Sequence, residues 1–280
     1  MATTHDIALK RFSQRMNLTD MPFWLWCSSA ITLLILLVLG MLAADVSYTT
    51  PGHLWHALQT PEIRAAIRLS LLTSIIATVL ALILGVPTSY LLTRGEFRGK
   101  VAIETLLTLP LALPPVVVGI SLLLLFQSPI GQSIQRIMPV TYTPIAVVLA
   151  QLPIACALVV RSLRICFSLI PLRQEQVAWT LGSSRSTTFW RIVLPQARRS
   201  MFSAAALAWA RSLGEFGSVL VFAGATRMRT EVLSTTVYLE MSVGKIEAAL
   251  AAALLMVALA VSVLILVRFL ATDTAITDAC

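Results

Sequence analysis

The chain has 280 residues, of which 58% are hydrophobic and only 12% are charged, and its mean hydropathy is +0.86. Soluble domains are about half apolar and a quarter charged, so this composition excludes a soluble globular protein and indicates one membrane domain. The net charge of +8 does not indicate nucleic-acid binding, because the basic residues lie at the ends of apolar segments and form no stripe with interleaved aromatics.

Six segments are long and apolar enough to cross a hydrocarbon core of about 30 Å as helices. They cover approximately residues 24–44, 67–92, 102–126, 144–167, 201–223 and 246–270. The first is longer than the apolar core of a signal peptide, so we interpret it as an uncleaved helix. The sequence therefore predicts an all-α integral membrane protein with six transmembrane helices. The predicted divisions are an N-terminal tail (1–22), a transmembrane domain (23–270) and a C-terminal tail (271–280).

The positions of Lys and Arg predict the orientation of these helices in the cell membrane. With the N-terminus inside, cytoplasmic segments hold about fourteen of the 21 basic residues, and outer segments hold about six. Because cytoplasmic segments carry the excess of positive charge, we predict an N-in, C-in multi-pass protein with two cytoplasmic tails. The polar loop of about 168–200, between the fourth and fifth helices, is then cytoplasmic too.

The third apolar segment contains Pro110, Pro114 and Pro115. Each proline lacks a backbone donor and crowds the preceding turn, so we expect a kinked or locally opened helix. Such a helix could line a transport pathway, with Pro114 and Pro115 as candidate pathway residues. The alternative is a bent packing helix with no pathway role, since proline is common in membrane helices.

The loop of about 168–200 has the pattern of a helical elbow. A first short helix is predicted to run to Leu181, where Gly182 can adopt the left-handed conformation that ends a helix, and a second from about Ser186 to Leu194. Aromatic and arginine side chains are favoured interface anchors, so the elbow is a candidate docking surface for another protein. Its anchors would be Trp179, Phe189, Trp190, Arg185 and Arg191.

The spacing in this loop resembles the EAA loop of permease subunits in binding-protein-dependent ABC importers. The matching residues are Gln176, Ala178, Gly182, Ile192, Leu194 and Pro195, and Arg185 lies between the two halves. The resemblance implies a coupling helix that docks onto a separate ATP-hydrolysing subunit. The family's usual glutamate is replaced by Gln176, with Glu175 directly before it, so an ion pair made by that carboxylate is either absent or shifted by one residue.

Other stretches narrow the resemblance to molybdate/tungstate permeases, with much of the pattern shared by sulfate permeases. They are residues 109–119, 130–132, 211–217 and 222–224. The resemblance implies alternating-access import of a tetrahedral oxyanion, molybdate or tungstate, with sulfate or thiosulfate as the alternative. It also implies a homodimer, two ABC ATPase subunits and an extracytoplasmic oxyanion-binding protein.

The chain itself has no GxxxxGK[ST] phosphate loop, so ATP and Mg would be bound by the partner ATPase. HExxH and GxSxG motifs are absent, and neither the three histidines nor the four cysteines have metal-type spacing. We therefore expect no catalytic residue, metal site or cofactor in this chain and interpret it as a transport subunit, not an enzyme.

Arg211 and Glu215 are four residues apart in the fifth apolar segment, on one helix face. Charged residues inside a membrane usually face the protein interior and pair with one another. They either border the pathway as a gate or neutralise each other and fix helix packing. A different class, the ion-gradient-driven secondary transporter, would predict inverted repeats or several intramembrane acids, and neither is apparent.

Overall fold

The computed structural model describes residues 21–48, 52, 55 and 58–277, except for the side chains of 264 and 266–277. The predicted N-terminal tail lies outside the described residues up to position 20, and so does the end of the C-terminal tail from 278. All regular elements in the described part are helical. They are α1 (Met21–Ser47), α2 (Pro61–Arg94), α3 (Lys100–Ala112), α4 (Pro115–Gln127), α5 (Pro129–Ile137), α6 (Pro144–Leu169), α7 (Leu172–Thr180), α8 (Arg185–Thr188), a π segment (Phe189–Val193), α9 (Leu194–Leu213), α10 (Gly217–Phe222), α11 (Leu233–Ser242) and α12 (Ile246–Thr277).

The chain divides into two compact units, residues 1–50 and residues 51–280. In the first unit, α1 has no buried residue, and an apolar surface of this kind suits contact with lipid. Over the described residues, α1, α2, α6 and the Ile246–Val263 part of α12 are long and apolar enough to cross a membrane. A fifth span results if α3 and α4 are counted as one bent pair. The six spans and their orientation therefore stay predictions.

The core of the second unit forms where α2, α6 and α9 pack together. Small residues let these backbones approach closely, as is usual between membrane helices. A Cβ atom added to Gly85 of α2 would lie 2.6 Å from Cγ1 of Val159 in α6, so only glycine fits there. Leu163 and Phe167 continue the same core toward the end of α6. The two helices are thus fixed together next to the elbow.

The proline-rich segment is a broken helix, as its sequence predicts. α3 ends at Ala112 and α4 begins at Pro115, with an angle of 114° between them. Leu113 and Pro114 have extended conformations (ψ 142° and 135°), because each precedes a proline, which disfavours the α conformation. Pro115 can start α4 because the first turn of a helix needs no donor from it.

The predicted continuous helix over 201–223 is wrong, because α9 ends at Leu213 and α10 begins at Gly217. Glu215 lies in this break and is buried. Its Oε1 atom accepts hydrogen bonds from the Oγ and backbone N of Ser218, at 2.7 and 3.4 Å. A buried carboxylate needs such partners. Satisfying Glu215 accounts for a break that the apolar pattern did not reveal.

Candidate functional site

The elbow between α6 and α9 turns at Gly182, which has a φ of +87°. Gly182 N donates to the Trp179 carbonyl and Ser183 N donates to the Ala178 carbonyl, both at 3.0 Å. This pair of bonds is the Schellman arrangement that ends a helix with a left-handed residue. A Cβ at Gly182 would meet nothing within 4 Å, so the glycine is needed for its backbone conformation and not for close packing. The predicted helix stop at Gly182 is confirmed.

The second arm of the elbow runs into α9 without interruption. Ser184 caps α8 by accepting a hydrogen bond from Thr187 N at 3.1 Å. The π segment follows, and Leu194 N donates to the Phe189 carbonyl, five residues back. Pro195 explains the wider turn, since a proline in a helix lacks a donor and its ring clashes with the carbonyl four residues earlier. The Leu194-Pro195 pair thus marks the junction between elbow and α9.

The residues that match the EAA spacing lie on both sides of this turn. Ala178 is buried against the elbow, whereas Gln176 is exposed. Ile192 and Leu194 are half-buried in the second arm. The Nε2 atom of Gln196 donates to Oε1 of Gln174 at 2.8 Å and so connects the two arms. The structure thereby brings these motif residues together in one compact elbow.

Glu175 anchors the elbow to the end of α2. Its side chain is fully buried, with Oε1 2.7 Å from Arg94 Nε and Oε2 accepting a 2.6 Å hydrogen bond from the Tyr90 hydroxyl. Arg94 also donates to the Ile170 carbonyl at 2.7 Å. We call Glu175, Arg94 and Tyr90 the elbow clamp. Gln176 forms no such pair with any residue that the structure describes. The carboxylate partnership is at the neighbouring position, as one of the two sequence expectations allowed.

The clamp is extended by aromatic packing. Tyr90 contacts Phe189 with ring centroids 4.7 Å apart, so Phe189 faces the protein interior. Trp179 is half-buried, and the Arg185 guanidinium lies over its ring at 5.4 Å. Of the three predicted aromatic anchors, Trp190 is well exposed, at 63%. The exposed apolar tip of the elbow consists of Trp190, Val177 and Leu181, which is 81% exposed.

Arg211 and Glu215 form the predicted ion pair, with Nη1 2.6 Å from Oε2. The Glu215 side chain is 1% exposed and that of Arg211 is 38% exposed. No hydrogen bond with acceptable geometry reaches Oε2 from a described residue, so we interpret this contact as ionic attraction. Ser234 of α11 donates to the Glu215 carbonyl at 2.9 Å. This backbone contact connects α11 to the break, while the role of the ion pair as gate or packing element stays a prediction.

The proline break and the break at Glu215 lie side by side. A Cβ on Gly217 would be 2.9 Å from Cβ of Pro115, and one on Gly119 would be 2.9 Å from Cα of Ser218. Pro114, just before Pro115, belongs to the same crossing. Pro114 and Pro115 therefore lie where α4 meets the break that contains Glu215, and Arg211 joins this group through its ion pair with Glu215. The elbow residues form a second group. Across the described residues, no group of three or more His, Cys, Asp or Glu side chains could hold a metal ion.

These features define a membrane protein of several apolar helices that carries a rigid elbow and two neighbouring helix breaks. Residues 77–275 match the family described as binding-protein-dependent transport system inner membrane component, and the chain belongs to this family. It is a multi-pass permease subunit of an ABC importer, and its homologues are transport components.

Two similar proteins are named as permeases of molybdenum and sulfate transport systems. The molybdenum transport system permease protein ModB of Mycobacterium tuberculosis is 36% identical over 250 residues, covering 88% of this chain and 94% of ModB. The sulfate transport system permease protein CysT of Salmonella typhimurium is 31% identical over 239 residues, covering 84% and 86%.

A solved bacterial alginate ABC transporter, in complex with an alginate pentasaccharide-bound periplasmic protein, has a chain of the same fold. Its TM-score is 0.72 at 17% identity, covering 91% of this chain and 96% of that one. At this identity the likeness applies to the fold alone.

Proposed function

We propose that this chain is the membrane subunit of an ATP-driven oxyanion importer and that its elbow couples a separate ATPase to the transmembrane helices. The elbow clamp is the observation that carries this proposal. It joins the short arm α7 to the end of α2 through a buried ion pair. A force applied at the exposed tip around Leu181 would therefore reach a long membrane helix through charged contacts and not through a flexible loop.

The proposed working unit is a homodimer with two ABC ATPase subunits, which bind ATP and Mg, and an extracytoplasmic binding protein. The distribution of Lys and Arg favours six spans with both termini inside, and this topology would put the elbow on the cytoplasmic side. The periplasmic protein in the complex with the alginate transporter supports a binding-protein partner. ATP binding would move the docking sites and switch the pathway from inward-facing to outward-facing.

Molybdate or tungstate is the proposed cargo, and sulfate is the alternative. The similarity to ModB at 36% identity supports molybdate, and the similarity to CysT at 31% supports sulfate. Titrating the partner binding protein with each anion separates them. Affinity for sulfate equal to that for molybdate would contradict the choice of molybdate.

Pull-down of the permease with its ATPase tests the coupling role. Gly182→Val should reduce ATPase association and ATP-driven transport, because a β-branched residue at φ +87° disrupts the turn. Gly244→Val is the matched control: Gly244 has a φ of +79° and equally open surroundings, but it lies between α11 and α12. Equal behaviour of the two variants, or no association of the unmodified chain with an ATPase, would refute the proposal.

A further inference from the structure

A small open cavity lies between α6 and α9, close to the elbow. Its volume is about 320 Å³, and it is lined by Ser162, Arg199, Ser200, Ser203, Ala204 and Leu207. We infer that this serine cavity binds the transported anion, as a site for a fully ionised tetrahedral oxyanion. The inference rests on the proposed function and adds a position for the cargo inside the permease.

The three serine hydroxyls are available as donors. A serine within a helix commonly donates to a carbonyl one turn earlier, as Ser168 does to Ile165 at 2.8 Å. Ser162, Ser200 and Ser203 make no such bond to any of the residues that the structure describes. Each hydroxyl can therefore turn its proton toward an anion in the cavity.

Arg199 supplies the positive charge. It has another interaction of its own, and a guanidinium has five N–H donors, so it can serve an anion as well. No carboxylate is among the described residues that line the cavity. Hydroxyl and guanidinium donors match an anion that only accepts hydrogen bonds, such as molybdate or sulfate. Monohydrogen phosphate, which also donates one, would fit less well.

The cavity has a rigid wall. Ala204 is buried at its edge and belongs to the core that also contains Leu163 of α6. The backbones that carry the donors are therefore held in fixed positions, which lowers the cost of ordering a binding site.

The cavity also lies between the elbow and the intramembrane ion pair. Ser200 is six residues beyond Leu194, the start of α9, so a movement of the elbow would carry it. Ser200 and Arg211 are eleven residues apart, which is about three helical turns or 16 Å along the same face. An anion released near Arg211 would thus find its next donors in the serine cavity.

Equilibrium binding to the full chain in nanodiscs tests the inference without requiring the ATPase. Radiolabelled molybdate and sulfate are the probes, in zwitterionic lipid. Ser203→Asp should weaken anion binding at least tenfold, because it places a negative charge in the cavity at an exposed position that tolerates substitution. Ser203→Asn has nearly the same size without the charge and should weaken binding less than threefold. Ser168→Ala, whose hydroxyl is already engaged, should have no effect.

Other outcomes would overturn the inference. These are equal binding by the Asp and Asn variants, or no saturable binding by the unmodified chain. A third is saturable binding that anionic lipid abolishes, which would assign the cavity to lipid phosphate. Failure of the proposed function would be seen in a different measurement. The chain would then not associate with an ATPase, whether or not it binds anions in nanodiscs. A permease that associates with its ATPase and imports anion with Ser203→Asp as well as with Ser203→Asn would refute the serine cavity alone.

Discussion

Replacement of Glu175 by Gln tests the elbow clamp most directly. The change keeps the shape of the side chain but removes the charge that Arg94 and Tyr90 contact at 2.7 and 2.6 Å. Breaking a fully buried ion pair costs about 3–5 kcal/mol. The Arg94 side chain is 16% exposed and keeps its bond to the Ile170 carbonyl, so we expect the lower end of that range, about 3 kcal/mol.

Reversible unfolding in mixed detergent micelles gives the free energy, and a double-mutant cycle isolates the pair. Glu175→Gln combined with Arg94→Gln should be less destabilising than the sum of the two changes, by about 1.5 kcal/mol or more. Glu96→Gln is the control on the same side of the molecule. Glu96 is exposed, and its loss should change stability by no more than about 0.5 kcal/mol.

Coupling is the second measurement on these variants. At a temperature where Glu175→Gln is fully folded, ATP hydrolysis stimulated by the binding protein should fall, whereas Glu96→Gln should behave like the unmodified chain. A Glu175→Gln variant as stable as Glu96→Gln, with a coupling free energy near zero, would refute the mechanical role of the clamp.

Three further predictions concern the rest of the fold. Burial raises the pKa of Glu231 in the segment before α11. Protonated Glu231 therefore adds to the stability of the folded state, and this contribution is lost as the pH rises through the folded-state pKa. The Glu231→Gln variant should therefore unfold at a higher temperature than the unmodified chain at pH 8, and at a similar temperature to it at pH 4. The same change in unfolding temperature at both pH values would contradict this. Gly85→Ala should destabilise by about 1–3 kcal/mol through contact with Val159, and Val159→Ala should restore part of the loss in the same unfolding assay. Arg211→Gln should lower the free energy of unfolding more than Glu215→Gln does, by about 1 kcal/mol or more, because it leaves the buried Glu215 carboxylate charged and without its ion-pair partner. The reverse order would assign the pair a different role.

The local features of the site could be predicted from the sequence because their causes are local. Glycine adopts the left-handed conformation at little cost, so Gly182 can end a helix without help from distant residues. The Pro114-Pro115 pair breaks a helix for an equally local reason, because a residue before proline disfavours the α conformation. Spacing alone also identified Arg211 and Glu215 as partners, since four residues place them on one face.

The clamp and the second helix break could not be predicted in the same way. Arg94 and Glu175 are 81 residues apart in sequence, and only the packing of α2 against α6 brings them together. The break before Gly217 depends on hydrogen bonds that Glu215 makes in the folded core, and the apolar pattern continues through it. Phe189 was expected at the docking surface, but its contact with Tyr90 holds it inside.

The π segment Phe189–Val193 sets the number of residues between the elbow and α9. Five-residue spacing at Phe189 adds one residue to a turn, and each residue of a helix corresponds to a rotation of about 100°. Deletion of one residue within Phe189–Val193 could restore ordinary helical spacing without shortening either arm by a full turn. Because the π turn fits its extra residue into about one full rotation, such a deletion would leave α9 in nearly the same orientation relative to the elbow. The π segment therefore absorbs one extra residue locally, and natural variants should tolerate the loss of one residue here far better than the gain of another, which would rotate α9 by about 100°.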